Sequence, residues 1–177
     1  MARKNIKKTI MEHFFVHPTT KLRVRQIERK LKLPLPSVIR YAKELEKEQI
    51  LKKTITANVS FYSADRSSQA FLLEKKLFNI KQLYKTGLIE HLRQELHNPT
   101  IVLFGSYAKG EDVEDSDIDL YIETPSKKAI KPEKFENQLK RSMQFFIHKN
   151  LKETKNPELA NNIINGITLN GYLEVIG

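Results

Sequence analysis

Four consecutive apolar residues, Ile101 to Phe104, stop at a glycine, and a second apolar run returns after a short acidic loop. Pro99 and Gly105 bound the first run, so it reads as a short buried strand. Gly105 lets the backbone turn and approach a ligand where a Cβ would stand in the way. If residues 106–109 wind into a helical turn, their free N–H groups and the Ser106 hydroxyl point to one place, which suits phosphate. From Asp117 to Glu123 the pattern alternates. Ile118, Leu120 and Ile122 fall on one face, and Asp117, Asp119, Tyr121 and Glu123 on the other. Two carboxylates two residues apart on a strand lie roughly 6–7 Å apart along the chain. Their oxygens can converge on a hard cation such as Mg²⁺, which takes one or two protein carboxylates plus phosphate oxygens.

Other readings of these residues are weaker. Gly105 to Gly110 has the outer spacing of a Walker-type phosphate loop, but Glu111 stands where a lysine followed by Ser or Thr is needed. Asp115 to Asp119 imitates the start of an EF-hand loop. Leu120 occupies the position of the turn glycine, and Ser126 that of the bidentate glutamate, so a calcium loop is excluded. The plain alternative is an acidic, solvated hairpin tip between two strands.

Gly105-Ser106-Tyr107-Ala108-Lys109-Gly110 followed by Ser116-Asp117-Ile118-Asp119-Leu120 resembles the signature of the minimal nucleotidyltransferases of the DNA polymerase β-like superfamily, over roughly residues 86–177. The resemblance implies a small mixed sheet flanked by helices and transfer of a nucleoside monophosphate from a triphosphate, ATP foremost, to an acceptor. It implies Asp117 and Asp119 as catalytic residues and Mg²⁺ ligands. Gly105, Ser106, Lys109 and Ser116 would seat the nucleotide, with Lys109 where many relatives carry arginine. The family also supplies a third carboxylate from a later strand. The matching stretch here is residues 142–147, residues 137–152 contain no acid, and Gln144 takes the equivalent position. An amide is a weaker Mg²⁺ ligand and cannot act as a base. Glu123 is too far along the strand from Asp117 to substitute. Two outcomes follow: an enzyme, or a nucleotide sensor or antitoxin-like interaction module without turnover. Antitoxins that modify a partner toxin are among the similar proteins, which implies a protein acceptor or partner.

Charge divides the chain. The first 63 residues hold 15 Lys/Arg against 5 Asp/Glu, which is the whole net excess of +10. A segment so basic is expected to meet a polyanion, nucleic acid above all. No cysteine is present, which removes disulfides, thiolate metal sites and cysteine nucleophiles. No apolar run approaches the ~20 residues of a membrane span, and residues 1–10 lack a signal peptide's apolar centre. A cytoplasmic location without membrane contact is the expectation.

Helical spacing places a helix over residues 5–16, ended at His17-Pro18, and a second over 24–31. Residues 32–36 form a compact turn, because proline disfavours helix at the residue before it. A third helix opens at Pro36 or Ser37 and runs to about Gln49. Residues 50–56 and 59–63 read as a hairpin around Ala57-Asn58. Three helices and a hairpin resemble the winged helix-turn-helix domains of prokaryotic regulators, over residues 1–63. The resemblance implies duplex DNA as partner. Ser37, Arg40 and Lys43 would face bases from the third helix, and Arg23, Arg25, Lys52 and Lys53 would meet phosphates.

Residues 64–85 read as a capped helix connecting the two domains, with an apolar stripe larger than a free linker needs, which pairing with a second copy as a homodimer and packing within the chain explain equally well. A further helix carries Leu88 to Leu96. Beyond the acidic strand come a helix over 133–140, a strand over 143–147, a helix opened by Pro157 and a short last strand after Gly166. The fold class is therefore α/β (α+β): a winged helix-turn-helix over 1–63 and a nucleotidyltransferase fold over 86–177.

Overall fold

Asn5 opens the first helix by capping it, its Oδ1 accepting from the Lys8 N–H at 3.1 Å. Helix α1 (Ile6–Val16) follows, then α2 (Val24–Leu31) and α3 (Leu35–Lys47). The computed structural model describes residues 5–175. These residues form two units that divide between Phe78 and Asn79. The division falls within α4 (Gln69–Lys85). Phe71 belongs to the first core and Leu83 to the second, so the helix expected as a connector is shared out between the two units.

In the first unit Ile10, Phe14, Ile27, Val38, Ala42 and Leu45 are fully buried, one apolar stripe from each helix. The hairpin is β2 (Leu51–Thr56) and β3 (Val59–Ala64), antiparallel with Thr56 opposite Val59. Its two-residue turn puts both Ala57 (φ 47°) and Asn58 (φ 61°) in the left-handed region. That is the backbone that keeps hairpin twist continuous. The sequence signals this for asparagine but not for alanine. A two-residue strand, β1 (Lys21–Leu22), pairs with β3 and makes the sheet three-stranded, in the order β1-β3-β2. Two residues without alternation gave no signal of this strand.

The second unit carries α5 (Leu88–Glu95), β4 (Thr100–Phe104), α6 (Gly105–Lys109), β5 (Ile118–Glu123), α7 (Glu133–Leu139), β6 (Met143–His148), α8 (Pro157–Ile164) and β7 (Ile167–Asn170). The sheet order is β6-β5-β4-β7, with β6 parallel to β5 and the other neighbours antiparallel. One face buries Ile101, Leu103, Ile118, Leu120 and Ile122 with Leu83, Leu88 and Leu92. The other face, polar in the sequence pattern, is also covered. Val102, Phe104 and Tyr121 pack there with Leu151 and Ile163, and Tyr121 is fully buried. Among the described residues no helix is long and apolar enough to cross a membrane.

Candidate functional site

Strand β4 delivers the chain to Gly105 at φ +72°, and the five-residue α6 starts there. Phe104 is in register with Asp119 on β5, so the carboxylate comes across the sheet onto the turn. A Cβ at position 105 would overlap Asp119 Oδ2 and lie 3.2 Å from Asp119 Cγ. Glycine is required here twice, by the backbone and by the acid beside it. Gly110 closes α6 in the left-handed region and its N–H donates to the Ser106 carbonyl.

Asp117 lies one residue ahead of β5 and is exposed; Asp119 is half-buried. Burial first, and then the negative charge of Asp117, push the Asp119 carboxyl above its ordinary range. A half-buried carboxylate raised by burial and by a second carboxylate is a place where a cation relieves both penalties. Among the described residues no group of three or more His, Cys, Asp or Glu side chains is gathered for a metal. The donor set is therefore two carboxylates, which fits a hard cation that fills its remaining positions with water and phosphate oxygens. Gln144 sits on β6 in register with Asp119, at the neighbouring position on the same face. Glu123 is occupied elsewhere, accepting from Tyr121 Oη at 3.1 Å.

Ser106 is half-exposed next to Gly105, and Lys109 is exposed at the end of α6. The Ser116 hydroxyl oxygen accepts from the Val113 N–H at 2.9 Å, so it closes the acidic loop. That loop is anchored by a residue the sequence did not single out. Asp112 is buried, accepts from Asn79 Nδ2 at 2.8 Å, and has Arg141 Nη2 at 3.8 Å. Asn79 Nδ2 also donates to the Tyr107 carbonyl at 2.9 Å, which ties α6 and the loop to one side chain. The signal was present as an aspartate two residues after a helix-ending glycine, but it is no different from a solvated loop acid. Burial and Asp112 together raise the Tyr107 phenol, and burial with Glu123 raises that of Tyr121, so neither ring ionises near neutral pH. A polar cavity of about 400 Å³ adjoins the loop, with Asp115 and Ser116 on one side and Lys140 and Ser142 on the other.

In the first unit the basic candidates are all exposed, and two of them also lie against aromatic rings. The Arg40 guanidinium lies over the Tyr41 ring at 4.4 Å and donates to its hydroxyl at 2.6 Å. Arg23 lies over Phe61 at 5.1 Å. Arg25, Lys43, Lys52 and Lys53 are exposed and Ser37 is half-buried. Ser37, Arg40 and Lys43 share a broad face of α3 at three-residue spacing. Lys52 and Lys53 are neighbours in β2 and so project to opposite faces of the sheet.

Comparison with curated proteins and with solved structures gives no match. A family model does match: residues 85–166 fit the nucleotidyltransferase domain. That segment contains the glycine–serine turn, Asp117, Asp119 and Gln144. Over residues 85–166, then, the chain is similar to the nucleotidyltransferase domain family.

Proposed function

We propose that the second unit transfers a nucleoside monophosphate from a nucleoside triphosphate, ATP foremost, to an acceptor hydroxyl. The reading is carried by one observation: the Asp119 carboxylate is seated on Gly105, at the start of the turn that presents Ser106, with Asp117 close enough to perturb its charge. Asp117 and Asp119 would hold Mg²⁺, which when bound neutralises phosphate charge and assists attack at the α-phosphorus. Gly105 and Ser106 would seat the triphosphate, and Lys109 would add positive charge at its edge. The buried Asn79–Asp112 hydrogen bond fixes the turn in position before substrate arrives.

The test is incubation of the whole chain with Mg²⁺, α-labelled ATP and cell lysate as the acceptor source. Label transfer that disappears in the Asp117→Ala, Asp119→Ala double variant supports the reading. Transfer of equal size in the variant overturns it. Gln144 beside Asp119 favours a second reading, a nucleotide sensor or antitoxin-like module without turnover. Nucleotide binding without transfer, converted to transfer by Gln144→Asp, would establish that reading instead.

The first unit is proposed to be a winged helix-turn-helix that binds duplex DNA. Its three helices, its small sheet and its concentration of basic residues support this. Exposed Arg25 and Lys43 are the phosphate and groove contacts to test. Their double alanine variant should bind duplex more weakly and lower the salt slope by about 1, for the one phosphate contact removed. Binding equal to wild type at every salt concentration would remove the DNA assignment. An α4-mediated homodimer remains part of the same proposal and is read by sedimentation.

A further inference from the structure

A cavity of about 280 Å³ lies between α5 and residues 128–131, in the segment that follows β5. Its apolar lining is aliphatic, with Leu92 and Leu96 on the helix and Ile130 on the segment. Its polar lining is mostly basic. Lys128, Lys131 and His91 are set against a single acid, Glu95, and the Lys128 ammonium already takes that carboxylate. Among the described residues Lys131 makes no ion pair. Both walls are held in place by the protein itself. Leu92 and Leu96 belong to the second unit's core, and the Leu96 carbonyl accepts from Thr124 Oγ1 at 3.4 Å. The segment is turned by Ser126, whose N–H donates to Thr124 Oγ1 and whose hydroxyl oxygen accepts from the Lys128 N–H, both at 3.2 Å. It runs on into α7. There Phe135 is buried against the His91 ring at 5.2 Å, and Glu136 Oε1 accepts from the Met143 N–H at 2.8 Å. A cavity with walls fixed in this way costs little ordering to fill.

We propose that this cavity binds a small aliphatic carboxylate, its chain along Leu92, Leu96 and Ile130 and its head on the Lys131 ammonium. Three features select that class. The apolar lining holds no Phe or Tyr, so it suits a chain rather than a stacked ring. With Glu95 matched by Lys128, the lining keeps one positive charge at neutral His91, and one negative head completes it. The volume falls at the bottom of the roughly 300–1,000 Å³ range of ligand pockets, too small for a nucleoside triphosphate or a two-chained lipid. The site is also separate from the paired aspartates. Thr124 follows Asp119 by five residues, roughly 17 Å along the strand, and the cavity adjoins the Thr124 end. Binding there is independent of whether the second unit transfers nucleotide.

The experiment titrates octanoate into the whole chain by calorimetry, with the leucine and isoleucine methyl resonances followed in parallel. Saturable one-site binding with a Kd below about 1 mM is expected. Hexanoate should bind about tenfold more weakly, for two methylenes lost at roughly fourfold each. Octanol, which keeps the chain and lacks the charged head, should bind at least tenfold more weakly than octanoate. These three arms use the wild-type chain and do not depend on a variant folding. Lys131→Gln should weaken octanoate at least tenfold, and Ala129→Trp, which adds a ring to the lining from an exposed position, should abolish its binding. Saturating Mg²⁺ and ATP should leave the octanoate Kd unchanged. No saturable binding up to about 10 mM, octanol binding as tightly as octanoate, or equal affinity in both variants and wild type overturns the assignment. Displacement of octanoate by ATP overturns it as well, by placing the ligand in the nucleotide's own site. The transferase reading is measured by label transfer and stands or falls apart from all of these outcomes.

Discussion

Asp119 and Gln144 stand side by side in register on parallel strands, an acid next to its amide analogue. If catalysis is limited by the missing third carboxylate, Gln144→Asp supplies it at the same backbone position. Nucleotidyl transfer, measured as label incorporated per minute, should rise by about tenfold or more. A chain already fully active would lose rate instead, since a third negative charge beside Asp119 then has no role to fill.

Gly105→Ala tests the seat of Asp119. The left-handed backbone alone costs about 1–2 kcal/mol for a residue with a Cβ. The overlap with the Asp119 carboxylate adds to this and displaces the acid. The variant should melt several degrees lower and lose nucleotide-induced stabilisation, read by thermal denaturation with and without Mg²⁺ and ATP.

Asp119→Asn should separate stability from function. Because the folded state raises the Asp119 pKa, the folded protein holds its proton to higher pH than the unfolded chain does. Its contribution to stability is therefore present below the ordinary carboxylate range and lost as pH rises through the folded value. At neutral pH the charged acid opposes folding. The asparagine variant should melt slightly higher than wild type without metal, by ~1–3 °C, and should not respond to Mg²⁺. Its transfer activity should fall below detection.

The buried Asp112–Arg141 pair is a stability feature with a reading at the site. The two side chains are 1% and 7% exposed. Asp112→Asn keeps an acceptor for Asn79 but removes the negative charge beside the guanidinium, at a cost of about 3 kcal/mol. Urea denaturation of the whole chain, followed by the near-ultraviolet signal of the second unit's tyrosines, checks this through the unfolding midpoint.

His13 contributes to the acid limb of the first unit's stability. Burial first, then the neighbouring His17 and Lys30, lower its pKa to about 4. Its Nε2 has no hydrogen-bond partner among the described residues. The folded unit keeps the ring neutral, so unfolding takes up a proton below pH 6.5. Stability from this group is present above 6.5 and is lost as pH falls toward about 4. His13→Leu should flatten the fall in melting temperature over that window, measured by circular dichroism.

The parts legible in the sequence are those with a strong period or a conformationally special residue. Helices α1 to α3 are announced by Ile10, Phe14, Ile27 and Val38 recurring at helical spacing, and β5 by strict alternation from Ile118. Gly105 followed by Ser106 marks the turn because few other residues permit that backbone. What the sequence did not carry is whatever depends on distant partners. Strand β1 exists because β3 offers it a ladder, and Tyr121 is buried because α8 and Leu151 cover a face that reads as polar. Asp112 shows no local sign of burial, since Asn79 and Arg141 that receive it are 33 and 29 residues away.

The Glu136 carboxylate over the Met143 N–H has a consequence for how such molecules behave when crowded. A bare rim of β-structure invites copies to stack on one another without end. Here the rim begins with an occupied donor and a negative charge, so a long, featureless tape finds no continuous seam to follow.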